Sequence, residues 1–174
     1  MHEVCQNSKK LEIEDQTMTT KLGQRHPWCR DDLSIFDDGG HLAGWLEVMS
    51  RLLESIEKRY AEAGLELNEK SFSVRQVKEK FGALRVYVTS SIDVQDLKQL
   101  AEEESKRICM ACGDKGAMVV TGPGWFHVVC DRHKEPGDMD PGEYIRRCEE
   151  REQQRRQSRG QQPERERLRM RAKQ

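Results

Sequence analysis

In the stretch ICMACGDKGAMVVTGPGWFHVVCDRH, residues 108–133, Cys109 and Cys112 have two residues between them, and Cys130 and His133 repeat that spacing after a gap of 17 residues. Two such hooks each offer two soft ligands to one tetrahedral ion, provided the chain between them can turn back. Gly113 permits a knuckle after the first pair. Ala117 to Thr121 and Trp125 to Val129 read as antiparallel strands across the Gly-Pro-Gly turn at 122–124, and the second pair follows in one short helical turn. Three thiolates and one imidazole form a closed Cys₃His set suited to a single structural Zn²⁺. The expectation is a treble-clef-like or ribbon-like zinc finger with metal ligands Cys109, Cys112, Cys130 and His133.

A catalytic zinc keeps one coordination position open for water, and four protein ligands leave none. An HNH-like nuclease also sets a ββα unit beside zinc hooks, but it needs a His-rich first strand. Met118-Val119-Val120-Thr121 supplies no histidine, and His127 is the lone candidate, so this is the remote alternative. Neither a Ser/His/Asp set nor a phosphate-cradling Gly-rich loop stands out. No catalytic residue is expected, and the chain reads as a non-enzyme.

Three further groups of residues carry possible chemistry. His2-Glu3-Val4-Cys5 and His26-Pro27-Trp28-Cys29 are both HxxC, a second candidate ligand set, although Pro27 restricts its loop. Gln76, Lys78, Lys80 and Arg85 can form a polar platform for an acidic partner or a phosphate, against the plainer reading of solvated turn charges. Arg151, Arg155, Arg156, Arg159, Arg165, Arg167, Arg169 and Arg171 crowd the C-terminal end and can neutralise nucleic-acid phosphates. Cys148 reads as a small apolar residue buried on its helix.

The elements that must position these groups follow from periodicity. Leu42, Trp45, Leu46, Met49, Leu52, Leu53, Ile56 and Tyr60 recur at spacings of three and four, which predicts a core-facing helix over residues 41–63 stopped by Gly64. Ahead of it, Trp28, Leu33, Ile35 and Phe36 belong to a loop-rich entry that packs onto the core. Residues 71–89 alternate in the manner of two strands, with the connecting turn over Lys78 to Gly82. A second helix is expected from Ser91 to about Arg107, with Val94, Leu97, Leu100, Ala101 and Ile108 on one face. Asp140 as N-cap and Pro141 at the first helical position predict a last helix that frays into a polar tail after Gly160.

Of the 174 residues, 35% are charged and 35% hydrophobic. Mean hydropathy is −0.90, so only part of the chain can close a core. Residues 151–174 hold nine Arg or Lys against three Glu, a net +6, which leaves residues 1–150 at −7. No apolar run approaches the roughly 18 residues that span a bilayer, and no signal peptide is visible. The expectations are no membrane, a cytoplasmic setting, and metal-bound or free cysteines. The fold class expected is α+β: a small helix–hairpin–helix body with an appended zinc finger and a basic C-terminal helix and tail. The domain boundaries expected are a disordered leader at 1–17, an α+β body at 18–107, the finger at 108–136, and the C-terminal helix with a disordered basic tail at 137–174. Met18 offers an alternative start that would make the leader expendable.

The run Gln76-Val77-Lys78-Glu79-Lys80-Phe81-Gly82-Ala83-Leu84-Arg85-Val86-Tyr87-Val88, followed by Ala101-Glu102-Glu103-Glu104-Ser105, Cys109-x-x-Cys112-Gly113, Gly124-Trp125 and Cys130-x-x-His133, resembles a set of uncharacterised small zinc-binding proteins of bacteria and bacteriophages. Gly44-Trp45 matches the Gly-Trp that these proteins carry near their first helix. The resemblance covers about residues 40–133 and implies a bacterial or mobile-element setting, without an activity to carry across. The leader and the basic tail lie outside it. The function expected is a non-enzymatic, zinc-stabilised adaptor, regulator or inhibitor that binds a protein partner. The alternative is a nucleic-acid-binding zinc-finger protein that uses its Arg-rich tail.

Overall fold

The computed structural model describes residues 20–29, 31–122 and 124–171, with side chains as far as Arg159. The leader with its His2 and Cys5 lies outside the described residues. The apolar stripe of the first long helix becomes α2 (Leu46–Glu62), preceded by the short helix α1 (Lys21–Arg25) and by 3₁₀ turns at Ser34–Phe36 and Ala43–Trp45. Leu42, Trp45, Met49, Leu53, Ile56 and Tyr60 are all fully buried, and Leu33 and Phe36 of the entry loop close over them. Gly64 ends the helix at φ +66°, where the Leu65 N–H donates to the Tyr60 carbonyl and the Gly64 N–H to that of Ala61. This left-handed cap satisfies two carbonyls that the helix end leaves over.

Strands β1 (Phe72–Lys80) and β2 (Ala83–Ser90) form an antiparallel hairpin with a bulge between Val74 and Gln76. The Asp31 carboxylate accepts the Val74 N–H at this bulge, at 2.6 Å. The Tyr60 hydroxyl donates to the Ser71 carbonyl at 2.6 Å and accepts the Ser91 N–H at 3.1 Å, which ties both ends of the hairpin to α2. The connection is tighter than its sequence suggests. Lys78 to Lys80 are paired strand residues, and only Phe81 and Gly82 turn the chain. Both have positive φ, 55° and 71°, the mark of the two-residue turn that matches the strands' twist.

Helix α3 (Gln95–Ser105) lies beside α2 and β2 and is shorter at both ends than expected. Val94 and Ala101 are buried, but Leu100 is 67% exposed. The Ser105 hydroxyl accepts the Leu84 N–H at 2.9 Å, satisfying a backbone donor of β2. Strands β3 (Ala117–Thr121) and β4 (Trp125–Val129) form the second hairpin at the bounds its sequence predicts, followed by a 3₁₀ turn at Asp131–His133.

Helix α4 (Pro141–Arg171) starts where predicted, with the Asp140 carboxylate accepting the Gly142 N–H at 2.8 Å and the Glu143 N–H at 3.2 Å. It does not stop near Gly160 but continues to Arg171. Gln, Arg and Glu are good helix formers, and pairs one turn apart such as Arg147–Glu143 and Arg156–Glu152 support the exposed stretch. The architecture is α+β, with two small antiparallel sheets.

Candidate metal centre

Cys109 lies four residues beyond the end of α3, and its backbone is held on both sides. Its N–H donates to the Asp114 carbonyl at 2.7 Å, and its carbonyl accepts the Gly113 N–H at 2.9 Å. Gly113 takes φ +80°, a conformation that turns the knuckle back at little cost only in glycine. The Met110 N–H donates to the Val128 carbonyl at 2.9 Å, which fastens the knuckle to β4 just ahead of the second pair. The turn after β4 then closes with the His133 N–H donating to the Cys130 carbonyl at 2.9 Å, so both hooks face one point.

The ligand atoms of Cys109, Cys112, Cys130 and His133 all lie within 4.8 Å of one another, close enough to hold a metal ion. Cys112 Sγ is 3.7 Å from Cys130 Sγ. His133 Nδ1 is 3.7 Å from Cys109 Sγ and 3.2 Å from Cys130 Sγ. Cys109 is fully buried, Cys130 nearly so, and Cys112 and His133 face solvent. Arg132 lies 3.9 Å from Cys112 Sγ and forms an ion pair with Asp114, which brackets the open side of the cluster.

The thiols do not titrate alike. A hydrogen bond with His133 holds Cys130 down to about 6 against the opposing effect of burial. At Cys112 a backbone N–H of Asp114 pulls the same way, but desolvation and the neighbouring thiols outweigh it and push the group up to about 11. A neighbouring thiolate disfavours the next ionisation. A bound cation would favour the thiolate form at every cysteine ligand, since metal ligation requires thiolates and releases their protons.

The cluster is joined to the body by hydrogen bonds from residues ahead of α2. The Gly44 N–H donates to the Met110 carbonyl at 2.9 Å, and Trp45 Nε1 donates to the Ile108 carbonyl at 2.9 Å. A Cβ on Gly44 would stand 2.1 Å from the Cys109 carbonyl oxygen and 2.7 Å from the Cys112 nitrogen. Gly44 and Trp45 are therefore the seat of the knuckle, a role that neither periodicity nor spacing assigns. The hairpin tip touches the finger as well, since a Cβ on Gly82 would meet Met118 at 3.1 Å and Val128 at 3.4 Å.

His127 joins a different cluster. The Thr121 hydroxyl donates to Asp138 Oδ1 at 2.6 Å, and His127 Nε2 is 3.4 Å from the same oxygen. Burial alone would raise the Asp138 carboxyl. The hydrogen bonds from Thr121 and the Glu135 N–H, with His127 beside it, outweigh burial and hold it low. Thr121 Oγ1 is nearly equidistant from the two ring nitrogens of His127, at 3.3 and 3.4 Å. The trio latches the segment before α4 onto β3, next to the bridge between Val120 and Met139.

The polar platform is reorganised. The register sets Gln76 opposite Tyr87, Lys78 opposite Arg85 and Lys80 opposite Ala83, so Gln76, Lys78, Lys80 and Arg85 do share one face. Arg85, however, forms an ion pair with Glu102 of α3. Lys78 Nζ lies 4.7 Å above the Tyr87 ring and Lys80 Nζ 5.5 Å above that of Phe81.

Of the second candidate set, His26 Nε2 is 3.0 Å from the Ser50 hydroxyl, and Cys29 Sγ lies 3.8 Å from Asp31. Burial pushes the Cys29 thiol up to about 12. Both residues are engaged in the core, and the one metal-type cluster among the described residues is the Cys₃His set. Arg151, Arg155, Arg156 and Arg159 are all exposed on α4, while the side chains of Arg165, Arg167, Arg169 and Arg171 lie outside the described residues. No helix among the described residues is long and apolar enough to cross a membrane. Compared with protein-family models, curated proteins and solved structures, the chain matches none.

Proposed function

We propose that this chain is a non-catalytic adaptor whose fold is braced by one structural zinc ion and which acts through the surface that the brace holds in place. With bonds of about 2.3 Å to sulfur and about 2.05 Å to nitrogen, a tetrahedral zinc sets its sulfurs about 3.8 Å apart and sulfur about 3.5 Å from nitrogen. The separations of 3.7, 3.7 and 3.2 Å are close to those values. Three thiolates with one imidazole select zinc over the harder cations. The single observation that carries the reading is that all four ligands are protein atoms, which leaves no position for a reacting water. When bound, the ion supplies cross-linking alone.

Free Cys29 and Cys148, neither in a disulfide, suit a reducing cytoplasm. The resemblance across residues 40–133 supports a bacterial or bacteriophage setting. Elemental analysis tests the metal: one zinc per chain is expected in protein purified without chelator. Cys112→Ser should lose the ion and the knuckle together. Zinc-free protein with unchanged stability would remove the reading.

A further inference from the structure

Three groups at the edge of the finger form one continuous surface. Lys78 and Tyr87, then Lys80 and Phe81, occupy the outer face and tip of the first hairpin as two cation–ring pairs. The Phe81 ring meets Phe126 edge-on at 6.4 Å, and Phe126 meets Tyr144 of α4 at 6.2 Å. From Tyr144 a groove continues along α4, lined by Cys148, Arg151, Arg155 and Arg159 together with the Glu152–Arg156 ion pair and Gly122. Spacings of three and four residues put these on the same face of the helix as Tyr144, and Glu149 and Glu150 fall on other faces.

The charges on this track are unbalanced in a specific way. Several carboxylates beside the track have partners of their own: Glu79 accepts the Gly82 N–H at 2.6 Å, Glu102 pairs with Arg85, Glu143 with Arg147 and Glu152 with Arg156. Lys78, Lys80, Arg151, Arg155 and Arg159 have no carboxylate partner among the described residues. The apolar side of the track is also left open, since Phe81 is 64% exposed although a phenylalanine at φ +55° is strained. A ligand that satisfies both features has anionic groups at regular intervals and flat faces between them.

We infer that this track, from Lys78 and Tyr87 through Phe81, Phe126 and Tyr144 to Arg159, binds single-stranded nucleic acid, with phosphates on the cations that lack a carboxylate and bases stacked on the exposed rings of Phe81 and Tyr87. The inference rests on the chain being a binding module. It joins two groups that stand far apart in sequence, the hairpin lysines and the helix arginines. Stacking tolerates any base, so binding is largely independent of sequence and depends strongly on salt. A duplex hides its base faces and cannot stack on the rings.

The test uses the full-length, zinc-loaded chain with labelled single-stranded DNA, single-stranded RNA and matched duplex of about 15 nucleotides, read by fluorescence anisotropy across a salt series. Binding of either single strand, at least about tenfold tighter than duplex, is expected, and the two arms show which sugar is preferred. Phe81→Asn should weaken single-strand binding on the order of tenfold without lowering the melting temperature, an outcome that a merely structural role for the ring would not give. Arg151→Glu with Arg155→Glu should flatten the slope of log affinity against log salt by about 1.4, or about 0.7 for each phosphate that is no longer neutralised. The inference is overturned if zinc-loaded, cooperatively melting protein binds no single strand at low salt. It is equally overturned if Phe81→Asn leaves affinity unchanged, or if polyglutamate competes as well as the oligonucleotide, which would mark an acidic protein as the ligand. Zinc content measured on the same samples reports on the brace separately, and cleavage of the oligonucleotide would refute the non-catalytic reading while leaving the binding surface in place.

Discussion

Gly44 shows how one missing Cβ can seat a candidate metal site. Its backbone lies where any side chain would overlap the Cys109 carbonyl and the Cys112 nitrogen, both backbone atoms of the knuckle that cannot swing aside. Gly44→Ala should therefore destabilise the chain by more than about 2 kcal/mol and lower its zinc content, checked by thermal melting and metal analysis. Phe81 has the opposite sign. Left-handed backbone costs a phenylalanine about 1–2 kcal/mol, while its one edge contact with Phe126 returns about 0.5–1.5 kcal/mol. Since the ring is mostly exposed, Phe81→Asn should raise the stability measured by urea unfolding slightly, by about 0.5 kcal/mol, because Asn-Gly suits this turn. His26 gives a pH dependence. Burial disfavours its imidazolium, so the folded ring titrates below its ordinary 6.5. Below that pH the unfolded chain binds more protons than the folded one. Stability from this group is complete above pH 6.5 and falls as the pH drops towards the lowered folded value. Urea unfolding at about pH 7.5 and about pH 5.5 should show His26→Gln losing less stability on acidification than the parent chain.

At the scale of elements, α4 is unlike the others. Tyr144 packs against Phe126 and the Gly124 turn, but every residue from Arg151 to Arg159 is exposed. Its persistence to Arg171 owes nothing to burial along 151–159 and rests there on local propensity and one-turn ion pairs, each contributing about 0.2–0.5 kcal/mol. Deleting residues 151–174 should leave the melting temperature of the remainder unchanged to within about 2 °C while lowering helix content by circular dichroism. A large drop in stability would show that the helix packs on the body. The first hairpin is the converse: short in sequence, yet fastened at its base by Tyr60, at its bulge by Asp31 and at its tip against the finger.

For the whole molecule, the finger and body share backbone hydrogen bonds through Gly44 and Met110 and a buried indole bond from Trp45 to Ile108. Two parts joined in this way should not melt independently. Removing zinc with a strong chelator is expected to lower the melting temperature of the entire chain by more than about 10 °C in one transition, because a structural zinc contributes on the order of 10 kcal/mol to the segment it orders. Hydrogen exchange should then show amides of α2 losing protection together with those of β3 and β4. A finger that loosens while α2 stays fully protected would show two independent units.

By itself the sequence determined the four Cys and His residues that come together, both strands of the second hairpin, the buried stripe of α2 and the start of α4. Each is written in local spacing: a two-residue gap between ligands, a period of two or of three to four, an Asp-Pro start. Tertiary structure alone decided what those elements meet. That Gly44 seats the knuckle depends on residues more than 60 positions apart, as does the Trp45 bond to Ile108. That Arg85 belongs to Glu102, and that the rings of Phe81, Phe126 and Tyr144 meet in series, follow from how α3 and α4 lie against the hairpins. Periodicity says which face of an element is apolar, but it does not say which other backbone will lie against that face, because long-range contact is set by the packing of the whole chain.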